Sequence, residues 1–474
     1  MPPDPRVLPA APGTAPARGA TPRVGTVGPV GTAAVMRRLA RWALGAVIVL
    51  SPVRAQVVLV ARPIGQVYGG YTDIVLSASD VAVLLTLGLW LASLVLQPRT
   101  LSFGPAFLRW PLVALLLLVW VGVPWSVDPT LTAYNGVRLV LLAALALYVH
   151  NEIDRIARLA GPLAVMIAIQ AVVGIGQVVS QRSLGLGLLG ELGLDPLVRG
   201  TSVVVSAGGE RLLRAYGLSD HPNILGGLLA FALLLLAVGL GRARAAQLMT
   251  GSVVWALGAL ALLLTFSRAA WASLAVGLVV AVAMLARRRD RPALRRWIGV
   301  SLGAGLVCAA FLAPYARFLA VRAELPNDPV PAEVMSLGGR SVLARLTNEV
   351  FVAHPLLGVG LGGLPEAMLT ADRALPIDYQ PAHLVLLDAA AEIGVFGALS
   401  YAVVLIAPWI ALWRQRARWT RELAGASAAL AAISVVGLFD YYTWTFSPGR
   451  IWAWLLLGLW ATAYSSARLG SADA

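Results

Sequence analysis

The sequence contains no lysine and only one cysteine, and charged residues make up just 13% of its 474 positions. Soluble domains carry about 25% charged residues, so this composition excludes an ordinary soluble protein. The lone Cys308 cannot form a disulfide within the chain, which leaves the redox compartment open. The four histidines are scattered and no H-E-x-x-H motif occurs, so we predict neither a metal site nor a cofactor.

Apolar residues make up 59% of the chain, and runs of them recur along nearly its whole length. Twelve of these runs are long enough to cross ~30 Å of hydrocarbon as helices. We therefore predict an all-α, polytopic membrane protein with about 12 transmembrane helices. The predicted spans are 39–58, 79–96, 109–124, 134–150, 157–179, 222–241, 248–266, 268–286, 297–314, 390–412, 423–440 and 451–467.

The arginines indicate which side of the membrane each connection faces. If the N-terminus is cytoplasmic, the short basic connections all fall on the cytoplasmic side, as the positive-inside rule requires. They contain Arg99, Arg155, Arg242, "RRRDRPALRR" (287–296) and "RQRARWTR" (414–421). An even number of spans then places both termini in the cytoplasm. The net charge of +14 thus indicates membrane topology and no nucleic-acid partner.

This topology divides the chain into four parts. Residues 1–35, rich in Pro, Ala and Gly, are predicted to form a disordered cytoplasmic tail. Residues 36–314 would carry helices 1–9, residues 315–389 a large, partly helical extracytoplasmic loop, and residues 390–474 helices 10–12 with a short cytoplasmic tail. A second long outer segment covers residues 180–221. Long insertions among short connections are typical of functional segments.

Two helices are predicted in the large loop. The first lies in "GGRSVLARLTNEVFVAHP" and ends before Pro355. The second begins at Pro381, which places His383 in its first turn. The positive end of the helix dipole disfavours imidazolium there, and a neutral imidazole facing an aqueous cleft is what a general base requires. The alternative is an interfacial histidine with a structural hydrogen bond.

Several arginines also lie on the predicted outer side. Arg268 stands at the tight turn between spans seven and eight, where it opposes the positive-inside bias. Its alternative role is that of an arginine snorkelling to lipid headgroups. Arg214 precedes the sixth span on the same side. Further candidates for substrate binding are Arg211, Arg340, Arg138, which could snorkel instead, and His221, which could cap the sixth span.

Arginines grouped around one histidine, without an acidic ligand cluster, predict binding of a multiply charged anion such as a lipid pyrophosphate. Each charge-assisted hydrogen bond would contribute ~1.5–3 kcal/mol. The same arginines would stabilise a departing pyrophosphate without a metal.

Four motifs stand in order on this topology. They are "RAYGLSDHPNILGG" (214–227), "LTFSRAAW" (264–271), "GRSVLARLTNEVFVAHPLLGVGLGGL" (339–364) and "HLVLLDAAAEIGVFGALSY" (383–401). With the twelve spans and the large loop, they resemble the O-antigen ligase and O-antigen polymerase family of bacterial envelope polysaccharide glycosyltransferases. The resemblance covers roughly residues 40–465.

The resemblance implies transfer of a glycan from an undecaprenyl-pyrophosphate carrier to an acceptor hydroxyl on the outer face of the bacterial plasma (inner) membrane. It assigns catalysis to Arg214 and Arg268, which would hold the donor pyrophosphate, and to His383, which would deprotonate the acceptor. Transfer would be metal-independent and inverting. The implied partners are the lipid-linked donor, a glycan or lipid-glycan acceptor and the bilayer. The segment "HLVLLDAAAE" lacks the family's usual Asn or Tyr after the histidine, which leaves the acceptor type open.

Other classes of protein fit the composition less well. A 12-span secondary transporter usually has its long connection on the cytoplasmic side between two six-helix halves, whereas "GRARAAQ" (241–247) is short. A peptidoglycan-type polymerase would show fewer spans. A non-catalytic assembly scaffold is the remaining alternative.

Overall fold

The computed structural model describes residues 29–241, 243–323, 331–375, 377–415 and 419–469. The described residues are 72% helix and 4% strand, which confirms the helical fold class. Within the described ranges, nine helices are long and apolar enough to cross a membrane. The chain is therefore a multi-pass membrane protein.

The elements follow one another in this order along the chain. The helices are α1 (Pro29–Leu50), α2 (Gly69–Thr72), α3 (Ala78–Leu96), α4 (Ala106–Gly122), α5 (Pro129–Glu152), α6 (Ala160–Ser180), α7 (Pro222–Leu240), α8 (Ala245–Leu264), α9 (Arg268–Arg287), α10 (Arg291–Leu312), α11 (Ala316–Arg322), α12 (Pro331–Ala353), α13 (Leu364–Ala371), α14 (Val385–Arg414), α15 (Arg421–Gly437), α16 (Tyr442–Thr445) and α17 (Ser447–Leu469). Strands β1 (Gln56–Val60) and β2 (Ile74–Ser77) form one antiparallel pair, and β3 (Val203–Val205) and β4 (Arg211–Leu213) form another. Short 3-10 helices stand at Val123–Trp125, Ile156–Leu159, Gly187–Leu189 and Ala313–Tyr315.

Each of the twelve predicted spans falls on a long helix. Nine of these helices meet the length and hydropathy required of a span within the described residues, and the other three are α1, α15 and α17. Helix α1 carries three arginines among its last 18 residues, and α15 has only 17 residues. Nine crossings are therefore supported directly, and twelve stays a prediction.

Of the twelve predicted spans, the first, 39–58, differs most from the helix that the structure shows there. Helix α1 begins at Pro29, inside the predicted tail, and it ends at Leu50, well before residue 58. Pro52 cannot donate the hydrogen bond that would continue the helix. The β-branched run that follows instead forms β1, which pairs with β2. Residues 1–28 of the predicted tail lie outside the described residues.

Side-chain caps fix where several of the helices begin. Ser77 and Asp80 form a capping box at the start of α3, because each side chain accepts from the backbone N–H of the other. The carboxylate of Asp128 caps α5 by accepting from the Leu131 N–H at 3.0 Å. Ser267 caps α9 in the same way. Arg268 is consequently fixed as the first residue of α9.

The connections between the long helices alternate between the two ends of the bundle. One end, here named the loop-rich end, carries the long segments 51–77, 181–221 and 313–384. The central helix of the bundle is α7, since 89% of its span is buried inside the protein. Its first residues therefore reach the loop-rich end from the middle of the bundle.

A second apolar core lies at the loop-rich end, and we name it the loop core. It joins α12, α13 and the segment between α13 and α14 to residues 64–71 of the first long connection. Its buried members are Val67, Leu343, Leu346, Val350, Val359, Leu364, Ala367, Met368, Leu375, Tyr379 and Ala391. The sequence predicted the two helices flanking this core but neither α13 nor the contribution of the first connection.

The glycine run 358–363 is a tight backbone turn. Gly358, Gly360 and Gly362 all have positive φ angles. The turn packs into a break in α14 at Gly394 (φ 72°, ψ −178°), where the Val359 N–H donates to the Ala391 carbonyl at 2.9 Å. A Cβ at Gly394 would lie 2.0 Å from the Leu356 carbonyl oxygen. Glycine is therefore required there, and the break fixes the large loop onto α14.

Candidate active site

A cavity of about 870 Å³ opens at the loop-rich end of the bundle, and we name it the site cavity. Its polar and charged lining consists of Arg199, Ser202, Arg214, His221, Asn223, Ser267, Arg268, Arg322, Arg340, Asp378, Gln380, His383, Asp440, Tyr441 and Tyr442. Five arginines and two aspartates among these described residues give the lining an excess of positive charge, which favours an anionic ligand. The cavity brings together five of the seven predicted site residues.

Arg214 is buried in the wall of the site cavity, with only 5% of its surface exposed. Its Nε donates to the Thr265 carbonyl at 2.6 Å, and its Nη2 donates to Asn223 Oδ1 at 2.6 Å. The adjoining backbone is tied to the same turn, since the Ala215 N–H donates to the Leu264 carbonyl at 2.9 Å. Hydrogen bonds therefore join the motif at 214–227 to the motif at 264–271.

Arg268 follows the turn to which Arg214 is bonded. Phe266 in that turn is fully buried and adopts a left-handed conformation with φ 49°, which few non-glycine residues do. Backbone strain of this kind is held in place by its surroundings and recurs at functional sites. The half-buried side chain of Arg268 lines the site cavity, a position that favours ligand binding over snorkelling.

Arg340 reaches the site cavity from α12, in the large loop. The cavity is also lined by two arginines that the sequence analysis did not predict, Arg199 before β3 and Arg322 at the end of α11. Neither stands in a recognisable motif, and both come to the cavity through the packing of the long connections. The predicted anion site thus contains more arginine than its motifs indicate.

His221 combines the predicted capping role with a place on the cavity wall. Its Nδ1 accepts from the Asn223 N–H at 3.1 Å at the start of α7, so the proton must reside on Nε2. Nε2 lies 2.9 Å from Ser202 Oγ and donates to it. Burial, followed by repulsion from Arg214 and other nearby cationic groups, lowers the pKa of His221 to about 3. His221 is therefore a neutral residue that fixes the cavity wall.

His383 lies just before α14 and not in its first turn as predicted, because the helix begins about one turn later, at Val385 and not at Pro381. Burial lowers the pKa of His383; Asp440 acts in the opposite direction and Arg340 adds to the lowering. The predicted neutral imidazole is thus present, but burial and not the helix dipole is its main cause. Nδ1 is buried, and the half-buried residue lines the site cavity.

Asp440 joins the histidine side of the site cavity to the arginine side. It follows α15, is 4% exposed, and accepts from Asn223 Nδ2 at 2.8 Å through Oδ2. The other oxygen accepts from the backbone N–H of Tyr441 at 2.9 Å. Since Asn223 also accepts from Arg214, one amide links a carboxylate to a guanidinium, which orients both across the cavity.

Two predicted site residues lie outside the site cavity. Arg138 in α5 forms an ion pair with Asp80, with Nη2 2.7 Å from Oδ1, and also contacts the Tyr134 hydroxyl. Arg211 in β4 is exposed, and its Nε donates to the Pro196 carbonyl at 2.6 Å. Both arginines have protein partners that account for them, so neither enters the function proposed below.

The described part of the chain holds no group of three or more His, Cys, Asp or Glu side chains arranged to bind a metal ion. The residues that meet at the site cavity are instead suited to two tasks. Arginines can bind an anion, and a neutral histidine can accept a proton.

A multi-pass helical bundle with an arginine-lined cavity and a neutral histidine at one end has the features of a membrane-embedded site for an anionic ligand. Residues 253–402 match the family model described as O-Antigen ligase, which confirms the family predicted from the motifs. The match includes Arg268, Arg340 and His383 but not Arg214 or His221. No curated protein matches the chain. The family implies a membrane enzyme that transfers glycans.

Proposed function

We propose that this protein transfers a glycan from an undecaprenyl-pyrophosphate carrier to an acceptor hydroxyl, with inversion and without a metal, at the outer face of the bacterial plasma membrane. The observation that carries the proposal is the meeting of Arg214, Arg268 and Arg340 with His383 around one cavity. Three separate parts of the chain supply these four side chains.

The arginine side of the site cavity would bind the donor pyrophosphate. Guanidinium groups form paired hydrogen bonds to phosphate oxygens and stay charged at any physiological pH. Arg214 is already fixed by the Thr265 carbonyl and Asn223, so binding would cost little further ordering of that side chain. His221, with its pKa lowered to about 3, contributes no charge and leaves the anion to the arginines.

The histidine side would activate the acceptor. Nε2 of His383 would take the proton from the acceptor hydroxyl while the oxygen attacks the anomeric carbon of the donor sugar. The bond from that carbon to the pyrophosphate breaks, and the electron pair leaves with the pyrophosphate. The arginines stabilise the charge that develops on the leaving group, which is the work a metal would otherwise perform.

Transfer can be measured with the purified full-length protein in liposomes. The donor would be undecaprenyl-pyrophosphate-linked glycans extracted from the host membrane, and the reaction would be followed by release of undecaprenyl pyrophosphate. We expect release in excess EDTA, with either a second donor molecule or an added lipid-linked glycan as acceptor. Absence of release with both acceptors, or release only after a divalent ion is restored, would contradict the proposal.

The proposed sidedness has its own test, because the loop-rich end must face outward. In a Cys308→Ser background, a cysteine at exposed Thr370 in α13 is expected to react with a membrane-impermeant thiol reagent in intact spheroplasts. A cysteine at exposed Arg289, between α9 and α10, is expected to react only after lysis. The opposite labelling pattern would place the loop-rich end in the cytoplasm and overturn the site of transfer.

A further inference from the structure

The orientation of His383 lacks the usual explanation for a catalytic base. A histidine base is normally held by a hydrogen bond from the ring nitrogen that does not react. In His383 that atom is Nδ1, which is buried and makes no hydrogen bond to any residue the structure describes. Some other contact must therefore hold the imidazole ring in place at the site cavity.

The contact that does so is the ring of Tyr441. The two ring centroids are 5.1 Å apart and the ring planes are perpendicular, at 88°. Tyr441 is buried, and its hydroxyl donates to Gln380 Oε1 at 2.8 Å. The hydroxyl oxygen of Tyr71 lies 2.8 Å from the hydroxyl oxygen of Tyr441. Because the proton of Tyr441 is used on Gln380, Tyr71 must be the donor in this pair.

Tyr71 comes from the first long connection, far from His383 in sequence. Its ring stacks on Phe446, with centroids 5.4 Å apart and planes at 26°. Two hydrogen bonds join the end of the short helix α2 to the backbone of Arg62. Thr72 Oγ1 donates to the Arg62 carbonyl at 2.8 Å, and Asp73 Oδ1 accepts from the Arg62 N–H at 2.6 Å. The packing of Tyr71 against the loop core completes this support.

We propose that Tyr441 is a positioning residue for His383 and that Tyr71, supplied by the segment 51–77, holds Tyr441 in place. The proposal rests on the proposed function, in which His383 is the base. Its physical basis is that a displacement of about 1 Å between reacting groups can lower a rate by about 100-fold. The hydroxyl chain from Tyr71 through Tyr441 to Gln380 restrains the ring against which His383 packs.

Burial lowers the pKa of His383, and the ring of Tyr441 contributes to that burial. The ring of Tyr441 covers one side of the imidazole, while Asp440, Arg340 and His221 are the titratable or charged groups around it. Replacing Tyr441 with a smaller side chain would admit water, and the pKa of His383 would rise towards its ordinary value. Because the base works only when neutral, the acidic limb of the rate profile would then move to higher pH.

Substitutions that each remove one hydroxyl test the hydroxyl chain of Tyr71, Tyr441 and Gln380 in the liposome assay. We expect Tyr71→Phe and Tyr441→Phe each to lower kcat about three- to tenfold, with the KM for the lipid-linked donor unchanged. The double variant should match the single ones, since all three break the same connection. The matched control is Tyr68→Phe. Tyr68 also contacts the ring of Tyr71, with ring centroids 5.7 Å apart, but it lies outside the hydroxyl chain, so this variant should transfer glycan like the wild type.

The pH profile separates positioning from a merely structural role. We expect Tyr441→Leu to shift the acidic limb of kcat/KM to higher pH, and we expect membrane accumulation and donor binding to match the wild type. An unchanged profile and kcat in Tyr441→Leu, or a loss of donor binding, would overturn the positioning role. Wild-type protein and His383→Ala are measured in parallel, so that failure of the proposed function appears as no transfer by the wild type.

Discussion

Replacement of His383 by alanine is expected to lower glycan transfer by about 10²- to 10⁴-fold, the usual contribution of a general base. His383 lines the site cavity, and burial lowers the pKa of its ring, which favours the neutral imidazole at physiological pH. Donor binding should persist, because the arginines that would bind pyrophosphate are unchanged in this variant. Transfer and binding of the lipid-linked donor are both measured in liposomes.

The pH dependence of the wild type provides an independent check on this residue. Because burial lowers the pKa of His383 below the ordinary 6.5, kcat/KM should rise with pH along an acidic limb whose midpoint lies below that value. His354→Ala is the matched control, since this histidine is exposed at the end of α12 and does not line the site cavity. Near-normal transfer by His383→Ala, or loss of its donor binding, would remove His383 from the role of base.

Replacement of Arg268 by lysine is expected to lower transfer by about tenfold to a thousandfold, or ~1.4–4 kcal/mol of transition-state stabilisation. Lysine keeps the charge but offers a single ammonium where the guanidinium offers two parallel donors. The variant should still accumulate in the membrane, because the Ser267 cap and the buried turn before it are unchanged. Transfer and accumulation are compared in the same preparations.

Arg291→Lys is the control for this substitution. Arg291 is likewise the first residue of a long helix, α10, but it is exposed and lies at the opposite end of the bundle. Its conversion to lysine should leave transfer at the wild-type level. Equal transfer by the two variants would mean that Arg268 does not form a paired contact with the donor, and snorkelling would again be the better interpretation.

The helical fold was predictable because membrane spans are encoded locally. A run of apolar residues specifies a span wherever it stands, and eleven of the twelve predicted runs each fall on one long helix in the structure. Helix ends that are set by a proline or by a capping side chain could also be predicted, as at Ala353 before Pro355. The first span was the exception, because the strand pairing of β1 with β2 depends on residues 14 to 21 positions away.

The candidate site was predictable only where a local pattern marks it. Arg268 and His383 stand in motifs, whereas Arg199, Arg322 and Tyr71 reach the site region through contacts between distant segments. Arg138 shows the opposite error. Its position near a helix end suggested a ligand contact, but Asp80, 58 residues earlier, forms an ion pair with it. Single-sequence patterns do not reveal such pairing.

The loop core has a consequence for the order of events during synthesis. Val67 leaves the ribosome about 300 residues before its packing partner Met368, which corresponds to roughly 15–60 s at 5–20 residues per second. Throughout that interval Tyr71 has neither Tyr441 nor Phe446 beside it. A nascent chain halted before α14 would thus contain most of its long helices and the arginines of the first two motifs, yet Tyr71 in its earliest connection would lack both aromatic partners. Completion of the enzyme therefore depends on the last quarter of translation, when the C-terminal helices capture a segment made near the beginning.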